Sequence, residues 1–370
     1  MQLRRGGLAP VLLAGALLWA GVEAGTGSAT PPPEQIFGLD SSAIDATNRR
    51  SPPLDVAAQM ISRTGAETQR MGVSWRYVQR EPGPMRWDRY DDEVAAIRAH
   101  GMRPLIMIHQ APLWASEGSD CGTKHCPPDA AHLDDWAYFA GEVALRYPDS
   151  AAIAIWNAPN TKAWWPVPGG VDPPAYARLF NWAAGRLHAV APQVPLLFGD
   201  LGSHRFKDTQ SGLSIPTFLK RFYPYVDRRV LLPGDGLAIH AYPSASEIDT
   251  LDGRFARVLG DARTARDAYD PAGAARKLWI TESGITTSGD AGVTEAEQAR
   301  ALVNVTDAVA TMPDVAALTL FTFVELRWNS DTADQSGYGI VRRREDGSLA
   351  PKKAYCALVA RAQQSAPGCP

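Results

Sequence analysis

The chain has 370 residues, of which 45% are hydrophobic and 21% are charged, and its formal net charge is −3. This composition excludes a disordered chain, because the apolar residues suffice for a large core. The nearly balanced charge gives no indication of a nucleic-acid partner or of a polybasic membrane surface.

The first residues predict a targeting segment. Arg4 and Arg5 precede an apolar stretch at 8–22, and small residues flank a cleavage position in Val22-Glu23-Ala24. About 15 apolar residues are short for a membrane span, which needs roughly 20. A cleaved signal peptide is therefore predicted, with an uncleaved anchor as the alternative, and no later segment is expected to insert stably into a membrane.

The predicted organisation is a signal peptide at 1–24, a flexible lead at 25–34 rich in Gly, Ser, Thr and Pro, and one domain at 35–370. Such a chain would be secreted, or would reside at the cell surface or in the periplasm.

Strand-like apolar runs alternate with helical patterns through the rest of the chain. This alternation predicts βα units on a parallel sheet. The predicted strands lie at 36–40, 70–75, 104–108, 153–155, 194–198, 236–239, 277–280 and 317–324. We count eight units and no second domain, which predicts an α/β fold, a single (β/α)₈ TIM barrel with extended βα loops.

Helix signals support this assignment. The first helix is expected after Pro52-Pro53, with Asp55 as a cap and with Val56, Met60 and Ile61 on its buried face. Further helices are predicted at 91–100 before Gly101, at 133–146, after Asp172-Pro173, after the capping box of Thr294 and Glu297, and at 351–363.

Four cysteines fit an exported protein. Cys121 is close to Cys126 in the chain, and Cys356 is close to Cys369, so two local disulfides are predicted, although four cysteines allow three pairings. Neither pair has Cys-x-x-Cys spacing, and only His125 could help to complete a metal site. No metal and no cofactor are therefore predicted.

Tryptophan is abundant, with 11 residues. These rings can fill the core, or they can stack on the apolar faces of sugars. Sugar stacking is considered for the tryptophans predicted in loops, which are Trp114, Trp164, Trp165 and Trp328.

Polar residues gather where two of the predicted strands end. The fourth strand runs into Trp156-Asn157-Ala158-Pro159-Asn160, and the seventh runs into Thr281-Glu282-Ser283-Gly284. The carboxyl ends of barrel strands carry the functional groups of this fold. A carboxylate at Glu282 would be costly to bury unless it is paired, so Glu282 is either functional or part of a strand-end ion pair.

These two segments resemble motifs of clan A glycoside hydrolases. The segment after the fourth strand is similar to their Trp-Asn-Glu-Pro-Asn signature, except that Ala158 stands where the general acid/base glutamate would be. The segment after the seventh strand resembles their nucleophile motif, with Glu282 as the nucleophile. The resemblance implies retaining cleavage of glycosidic bonds, in which two carboxyl groups lie about 5 Å apart.

Other positions match the clan in the same order. Arg70 resembles the arginine that keeps the nucleophile charged, Asn157 the asparagine that binds the sugar 2-hydroxyl, and His240 and Tyr242 the His-x-Tyr pair. Each of them alone could be an ordinary satisfied polar residue. His109, after the third strand, and Trp164 and Trp328, in predicted loops, are also predicted to bind substrate.

The resemblance extends over about 36–360, nearly all of the predicted mature chain. It leans toward glycoside hydrolase family 39 and its relatives, on the loop at Pro112-Leu113-Trp114-Ala115 and the Trp-rich loop after the fourth strand.

Ala158 leaves four interpretations open, because a methyl group cannot donate a proton and general acid/base catalysis is worth about 10²–10⁴-fold. The chain is an inactivated glycosidase, an enzyme with another acid, an enzyme that uses an activated donor or an external acceptor, or a carbohydrate-binding barrel. The candidate acids are Glu325, Asp200, His109 and Glu117.

The retained Glu282, Arg70, His240 and Tyr242 favour an enzyme. The prediction is therefore a secreted retaining glycosidase with a carbohydrate substrate. The alternatives are a non-catalytic binder, or a transferase or phosphorylase-like enzyme.

Overall fold

Parallel strands close into a barrel in the computed structural model, which describes residues 35–41, 52–116, 125–203, 208–290, 292–325 and 337–370. In these ranges the barrel has eight strands, each paired with its neighbour in the chain, and β1 pairs with β8 to complete the ring. The strands are β1 Ile36–Asp40, β2 Thr68–Ser74, β3 Arg103–His109, β4 Ala152–Ile155, β5 Leu196–Leu201, β6 Gly236–His240, β7 Leu278–Ser283 and β8 Val315–Leu320.

The predicted (β/α)₈ barrel is confirmed, and the described residues belong to one compact unit. The predicted signal peptide at 1–24 and lead at 25–34 lie outside the described residues. The eighth strand ends at Leu320, although an apolar run extended the prediction to 324. Phe323 and Val324 account for the difference, because they are buried in the core outside the strand ladder.

Helices follow the strands in alternation. They are α1 Leu54–Ser62, α2 Trp75–Val78, α3 Asp88–Ala99, α4 Leu133–Arg146, α5 Pro173–Val190, α6 Ile215–Phe222, α7 Arg254–Tyr269, α8 Glu295–Ala310 and α9 Lys353–Arg361. An antiparallel pair, β9 Val341–Arg343 and β10 Leu349–Pro351, precedes α9. Within the described part of the chain, no helix combines the length and the apolar character that a bilayer span requires.

Helix ends show which local signals were reliable. The capping box of Thr294 and Glu297 begins α8, as predicted. Asp172 caps α5 by accepting a hydrogen bond from the Ala175 N–H at 2.9 Å. The prediction for α1 was wrong in two respects: Asp55 lies in the first turn while Pro53 is the N-cap residue, and Val56 is exposed.

One of the two predicted disulfides lies in the described ranges. Cys356 in α9 is bonded to Cys369 near the end of the chain, which confirms that pairing. Cys121 lies outside the described residues.

The core has two layers, one on each side of the barrel wall. Side chains alternate along the strands, so that Ile106 and Ile108 face the helices while Leu105 and Met107 fill the interior. The interior cluster is entirely apolar and consists of Leu105, Met107, Ala152, Ala154, Leu197, Ala238, Trp279 and Ala317.

The indole of Trp279 fits in the interior because Gly236 on the neighbouring strand has no side chain. A Cβ atom at Gly236 would lie 2.3 Å from Trp279 Cδ1 and 2.8 Å from Leu197 Cδ2. Neither distance is compatible with normal packing, so this position requires glycine for steric reasons.

We predict that Gly236→Ala destabilises the protein by about 1–3 kcal/mol, the usual cost of overpacking a core. The matched control is Gly234→Ala, because a Cβ atom at Gly234 meets nothing within 4 Å. This control should change stability by about 0.5 kcal/mol or less. Urea unfolding of both variants measures the difference, and equal stability would contradict this account of the barrel interior.

Candidate active site

Charged and polar side chains cover the apolar interior at the carboxyl ends of the strands. Asp40 ends β1, Arg70 lies in β2, Asp200 in β5 and His240 at the end of β6. Glu282 lies near the end of β7, and Asn157 follows β4. The structure thus brings together five residues predicted for the site, Arg70, Asn157, His240, Tyr242 and Glu282. Two acids from β1 and β5 join them.

Arg70 is the centre of this layer. Its Nη1 donates to Asp40 Oδ2 at 2.7 Å and to Glu282 Oε1 at 2.8 Å. Its Nη2 donates to Asp200 Oδ2 at 2.8 Å and to Asn157 Oδ1 at 3.1 Å. Burial alone would lower the pKa of Arg70, but the charges of Asp200, Glu282 and Asp40 outweigh burial and raise it. The guanidinium is therefore a permanent cation.

The Glu282 carboxylate is held on both of its oxygens. Oε1 accepts from Arg70, while Oε2 accepts from Tyr242 Oη at 2.7 Å and lies 3.3 Å from His240 Nδ1. Its side chain is 12% exposed, whereas Asp40 and Asp200 are fully buried. Of the three carboxylates around Arg70, only Glu282 is accessible from the barrel mouth.

Tyr242 donates to Glu282 as a neutral phenol. Burial raises the pKa of Tyr242 well above its ordinary value, and the negative charge of Glu282 raises it further. The hydroxyl therefore keeps its proton at any physiological pH, and it fixes the orientation of the carboxylate.

Asp200 is an ion-pair partner of Arg70 rather than a proton source. Besides Arg70, it lies 3.4 Å from His240 Nε2 and accepts a hydrogen bond from the Thr281 hydroxyl. Burial opposes its ionisation, but the charges of Arg70 and His240 outweigh burial and hold the pKa of Asp200 below its ordinary value. The suggestion that Asp200 replaces the missing acid is therefore wrong.

The backbone after β4 and in β5 adopts an uncommon conformation. Trp156, Ala158 and Asp200 have φ angles of 73°, 39° and 46°. Left-handed conformations cost roughly 1–2 kcal/mol for residues other than glycine, and such strain is concentrated at functional sites. Trp156 consequently turns into the outer core, while the next residue, Asn157, reaches Arg70.

Ala158 lies at the end of β4, where the resemblance implies an acid. Its N–H donates to the Asp200 carbonyl at 3.0 Å. Its methyl group is 4% exposed and faces Gly202, since a Cβ atom at Gly202 would lie 3.5 Å from Ala158 Cβ. This part of the site therefore presents an apolar surface, whereas the Glu282 side is charged.

The other candidate acids are distributed differently. Glu325 contacts the buried Lys352 Nζ at 3.2 Å and Arg342 Nε at 3.8 Å, so it belongs to an ion-pair cluster beyond β8. Glu117 lies outside the described residues. His109 ends β3 and lies over Gly72, where a Cβ atom would be 3.2 Å from His109 Nε2.

Predicted aromatic residues have different environments. Trp164 is half-buried, with its ring 5.9 Å from His109 and 4.1 Å from His125. Trp114 packs on Trp75 at 5.4 Å. The prediction that Trp165 stacks on a sugar is wrong, because its ring is buried in the core against Trp156. Trp328 lies outside the described residues.

Sequence reasoning missed an aromatic cluster beside the nucleophile candidate. The rings of Tyr242 and Tyr338 are 5.5 Å apart, and Phe321 lies 6.3 Å from Tyr242 and 5.8 Å from Tyr338. Phe321 and Tyr338 are half-exposed. Phe321 directly follows β8. An aromatic residue at the carboxyl end of a barrel strand was therefore the sequence signal that could have predicted this cluster.

Metal ligands are not assembled here. Among the residues that the structure describes, no group of three His, Cys, Asp or Glu side chains is arranged to hold an ion. The acids of the site surround Arg70 instead.

We predict that Arg70→Met destabilises the protein by about 3–5 kcal/mol, because it leaves buried carboxylates without their cation. Arg98→Met is the matched control, since Arg98 pairs with Asp149 and both side chains are more than 40% exposed. Exposed pairs of this kind contribute about 0–1 kcal/mol. Urea unfolding at neutral pH compares the two variants, and equally small losses would show that Arg70 does not organise the site.

Comparisons with known proteins give a consistent picture of the fold. No protein-family model matches the chain, and no curated protein sequence matches it. Among solved structures, a family 39 glycoside hydrolase from Bacteroides cellulosilyticus WH2 is similar with a TM-score of 0.64 and 18% identity. The match covers 90% of this chain and 64% of that chain, so this chain spans less than two thirds of that protein.

Two further structures show the same similarity. A family 39 β-xylosidase from Caulobacter crescentus matches with a TM-score of 0.62 and 16% identity, over 90% of this chain and 73% of that chain. An endo-β-1,4-glucanase from Xanthomonas axonopodis pv. citri matches with a TM-score of 0.59 and 15% identity, over 90% and 100% respectively. The chain thus shares its barrel fold with glycoside hydrolases of family 39 and with other glycoside hydrolases.

Proposed function

We propose that this chain is a secreted glycoside hydrolase that cleaves O-glycosidic bonds with retention of configuration, and that Glu282 is its nucleophile. The observation that carries the proposal is the geometry of Glu282, a partly exposed carboxylate held by Arg70, Tyr242 and His240 at the mouth of the barrel. A fixed and ionised carboxylate is what attack on an anomeric carbon requires.

Each neighbour has a proposed role in this reaction. Arg70 pairs with one carboxylate oxygen of Glu282, and Tyr242 orients the other. Because Arg70 occupies Asn157 Oδ1, the amide nitrogen of Asn157 is the group that can donate to a sugar hydroxyl. His109 and Trp164, which lie next to each other at the ends of β3 and β4, bind the substrate from that side.

The reaction proceeds in two displacements. Glu282 forms a bond to the anomeric carbon as the leaving-group oxygen departs with the bonding electrons. Water then forms a bond to the same carbon, and the carboxylate of Glu282 is released. The first displacement lacks assistance from position 158, so the best substrates have leaving groups that are already weak bases, such as a phosphate or an acyl group. His109 is the alternative acid that lies in the barrel interior.

The compartment and the substrate class belong to the same proposal. The signal peptide at 1–24 would direct the domain at 35–370 out of the cytoplasm, where the disulfide of Cys356 and Cys369 is stable. The similar structures are described as a β-xylosidase and an endo-β-1,4-glucanase, which supports a carbohydrate substrate.

Ala158 supports a second candidate, a barrel that binds carbohydrate without cleaving it. The buried charged layer argues against this alternative, because a binder has no use for a carboxylate fixed by hydrogen bonds from Arg70 and Tyr242. A transferase or phosphorylase-like enzyme with an activated donor is the third candidate, and it shares Glu282 with the first.

We predict that Ala158→Glu increases the hydrolysis of aryl glycosides with poor leaving groups by about 10²-fold or more, because it restores a proton donor. Ala158→Gln is the matched control, since it has the same size but no ionisable proton. Dinitrophenyl glycosides, which need no acid, should respond little to either change.

Azide provides a complementary test with the unaltered protein, because this small anion attacks the anomeric carbon without the help of a general base. Acceleration by azide with dinitrophenyl donors, and formation of glycosyl azide, are expected. If the glutamate variant is no faster than the glutamine variant, another residue supplies the proton or position 158 has no access to the leaving group.

Covalent labelling tests the nucleophile directly. A panel of 2-deoxy-2-fluoroglycosyl donors with dinitrophenyl leaving groups should add one sugar to the peptide that contains Glu282, as measured by mass spectrometry. Glu282→Gln keeps the shape and most hydrogen bonds of the side chain, and it should not be labelled. Binding of sugars without labelling of the unaltered protein would favour the non-catalytic alternative.

A further inference from the structure

His240 lies between two carboxylates. Its Nδ1 is 3.3 Å from Glu282 Oε2 and its Nε2 is 3.4 Å from Asp200 Oδ1. The His240 side chain is 5% exposed, so these two acids, rather than water, determine its surroundings.

This arrangement distinguishes the ionisation states of the imidazole. A neutral imidazole has one N–H and one lone pair, and with acids on both sides the lone pair would face a negative charge. Only the imidazolium presents an N–H group to each carboxylate. Nε2 forms no hydrogen bond at 3.4 Å from Asp200 Oδ1, so this contact is an ion pair. The two negative charges therefore favour the cation even though burial by itself favours the neutral ring.

The charged groups around His240 come from several strands. Asp200 from β5 and Glu282 from β7 favour the cation, whereas Arg70 from β2 opposes it. Tyr242 faces the same Glu282 oxygen as a neutral donor. Burial lowers the pKa of His240, but the two carboxylates outweigh burial and Arg70, and the pKa is raised above its ordinary value.

Asp200 is suited to fix this state. It has no exposed surface, its second oxygen is bound by Arg70, and the Thr281 hydroxyl donates to the oxygen that faces His240. Its main-chain carbonyl also accepts from the Ala158 N–H, so the same residue joins the two sides of the site.

We propose that Asp200 is a positioning residue that holds His240 as an imidazolium, so that Glu282 Oε2 faces a second cation besides Arg70. The ionisation state of His240 does not depend on the proposed function. Its catalytic consequence does rest on it.

That consequence concerns the second displacement. The bond between the anomeric carbon and Glu282 breaks as the oxygen of water bonds to that carbon, the electron pair returns to the carboxylate, and the water proton passes to solvent. Arg70 and the His240 imidazolium stabilise the charge that develops on Glu282. This stabilisation needs no group at position 158, and His240 keeps its proton throughout.

Nuclear magnetic resonance of the full chain with ¹⁵N-labelled histidine tests the proposal without a substrate. Long-range ¹H–¹⁵N spectra report whether each ring nitrogen is protonated, and His240→Gln identifies the signals of His240. Both nitrogens should remain protonated at about pH 6.5, where an ordinary histidine is half deprotonated. A single neutral tautomer of His240 at that pH would overturn the proposal.

Asp200→Asn should lower the midpoint of the His240 titration by about one pH unit or more, which is a tenfold loss of proton affinity. Asp40→Asn is the matched control, because Asp40 is an equally buried partner of Arg70, whereas the carboxylates beside the His240 ring belong to Asp200 and Glu282. Its effect on the His240 midpoint should be much smaller. Equal shifts in the two variants would refute a specific role for Asp200.

Thr281→Val provides a milder change in case Asp200→Asn does not fold. It removes the hydroxyl that donates to Asp200 and retains every charge, so the carboxylate oxygen that faces His240 is no longer shared, and the His240 midpoint should stay the same or rise. A lower midpoint in this variant would contradict the proposal, and so would an unchanged midpoint in Asp200→Asn.

The activity readout separates this inference from the proposed function. With dinitrophenyl glycosides, the alkaline limb of kcat should move to lower pH in Asp200→Asn and should not do so in Thr281→Val. A raised His240 titration in a protein that neither labels nor turns over would leave the inference standing and remove the proposed function. A neutral His240 in a protein that does label would do the reverse.

Discussion

The buried guanidinium of Arg70 is the interaction on which the rest of the site depends. It pairs with Asp40, Asp200 and Glu282, each within 2.8 Å, at the top of an apolar interior. None of these acids could remain ionised there without a cation, because an unpaired buried charge costs several kcal/mol. Arg70 therefore decides that the barrel mouth is charged rather than apolar, and it fixes Glu282 relative to the other strands.

The barrel below supports this layer with an apolar cluster that fills its interior. The indole of Trp279 fills the space that Gly236 leaves open, and small residues complete the packing around it. The site residues lie beyond this cluster, toward the carboxyl ends of the strands. There the backbone at Ala158 and Asp200 adopts left-handed φ angles. The apolar interior thus stabilises the barrel, while the residues at the carboxyl ends of the strands form the candidate site. This division is general in the fold.

Much of this architecture could be predicted because it depends on local patterns. Apolar runs located all eight strands, and the capping box located α8. The ends of strands were less accurate, since no local signal reports that Asp200 adopts a left-handed φ. The role of Asp200 was also hidden, because its partner Arg70 is 130 residues away in sequence and becomes a neighbour only when the barrel closes. Four of the predicted site residues meet around that same arginine, whereas Trp165 belongs to the core.

A site with a methyl group at Ala158 has no proton donor at that position. Its charges are concentrated around one carboxylate, and in the proposed reaction they would favour Glu282 both as the nucleophile and as the departing group. A site with this bias loses most on substrates whose leaving group needs a proton and least on substrates whose leaving group does not, since only the first displacement involves the leaving group. The same arrangement is less expected in a binding protein, because binding alone does not require a carboxylate that Arg70 and Tyr242 hold in one orientation. The physical organisation of the mouth therefore favours an enzyme with a restricted range of leaving groups over a binding protein.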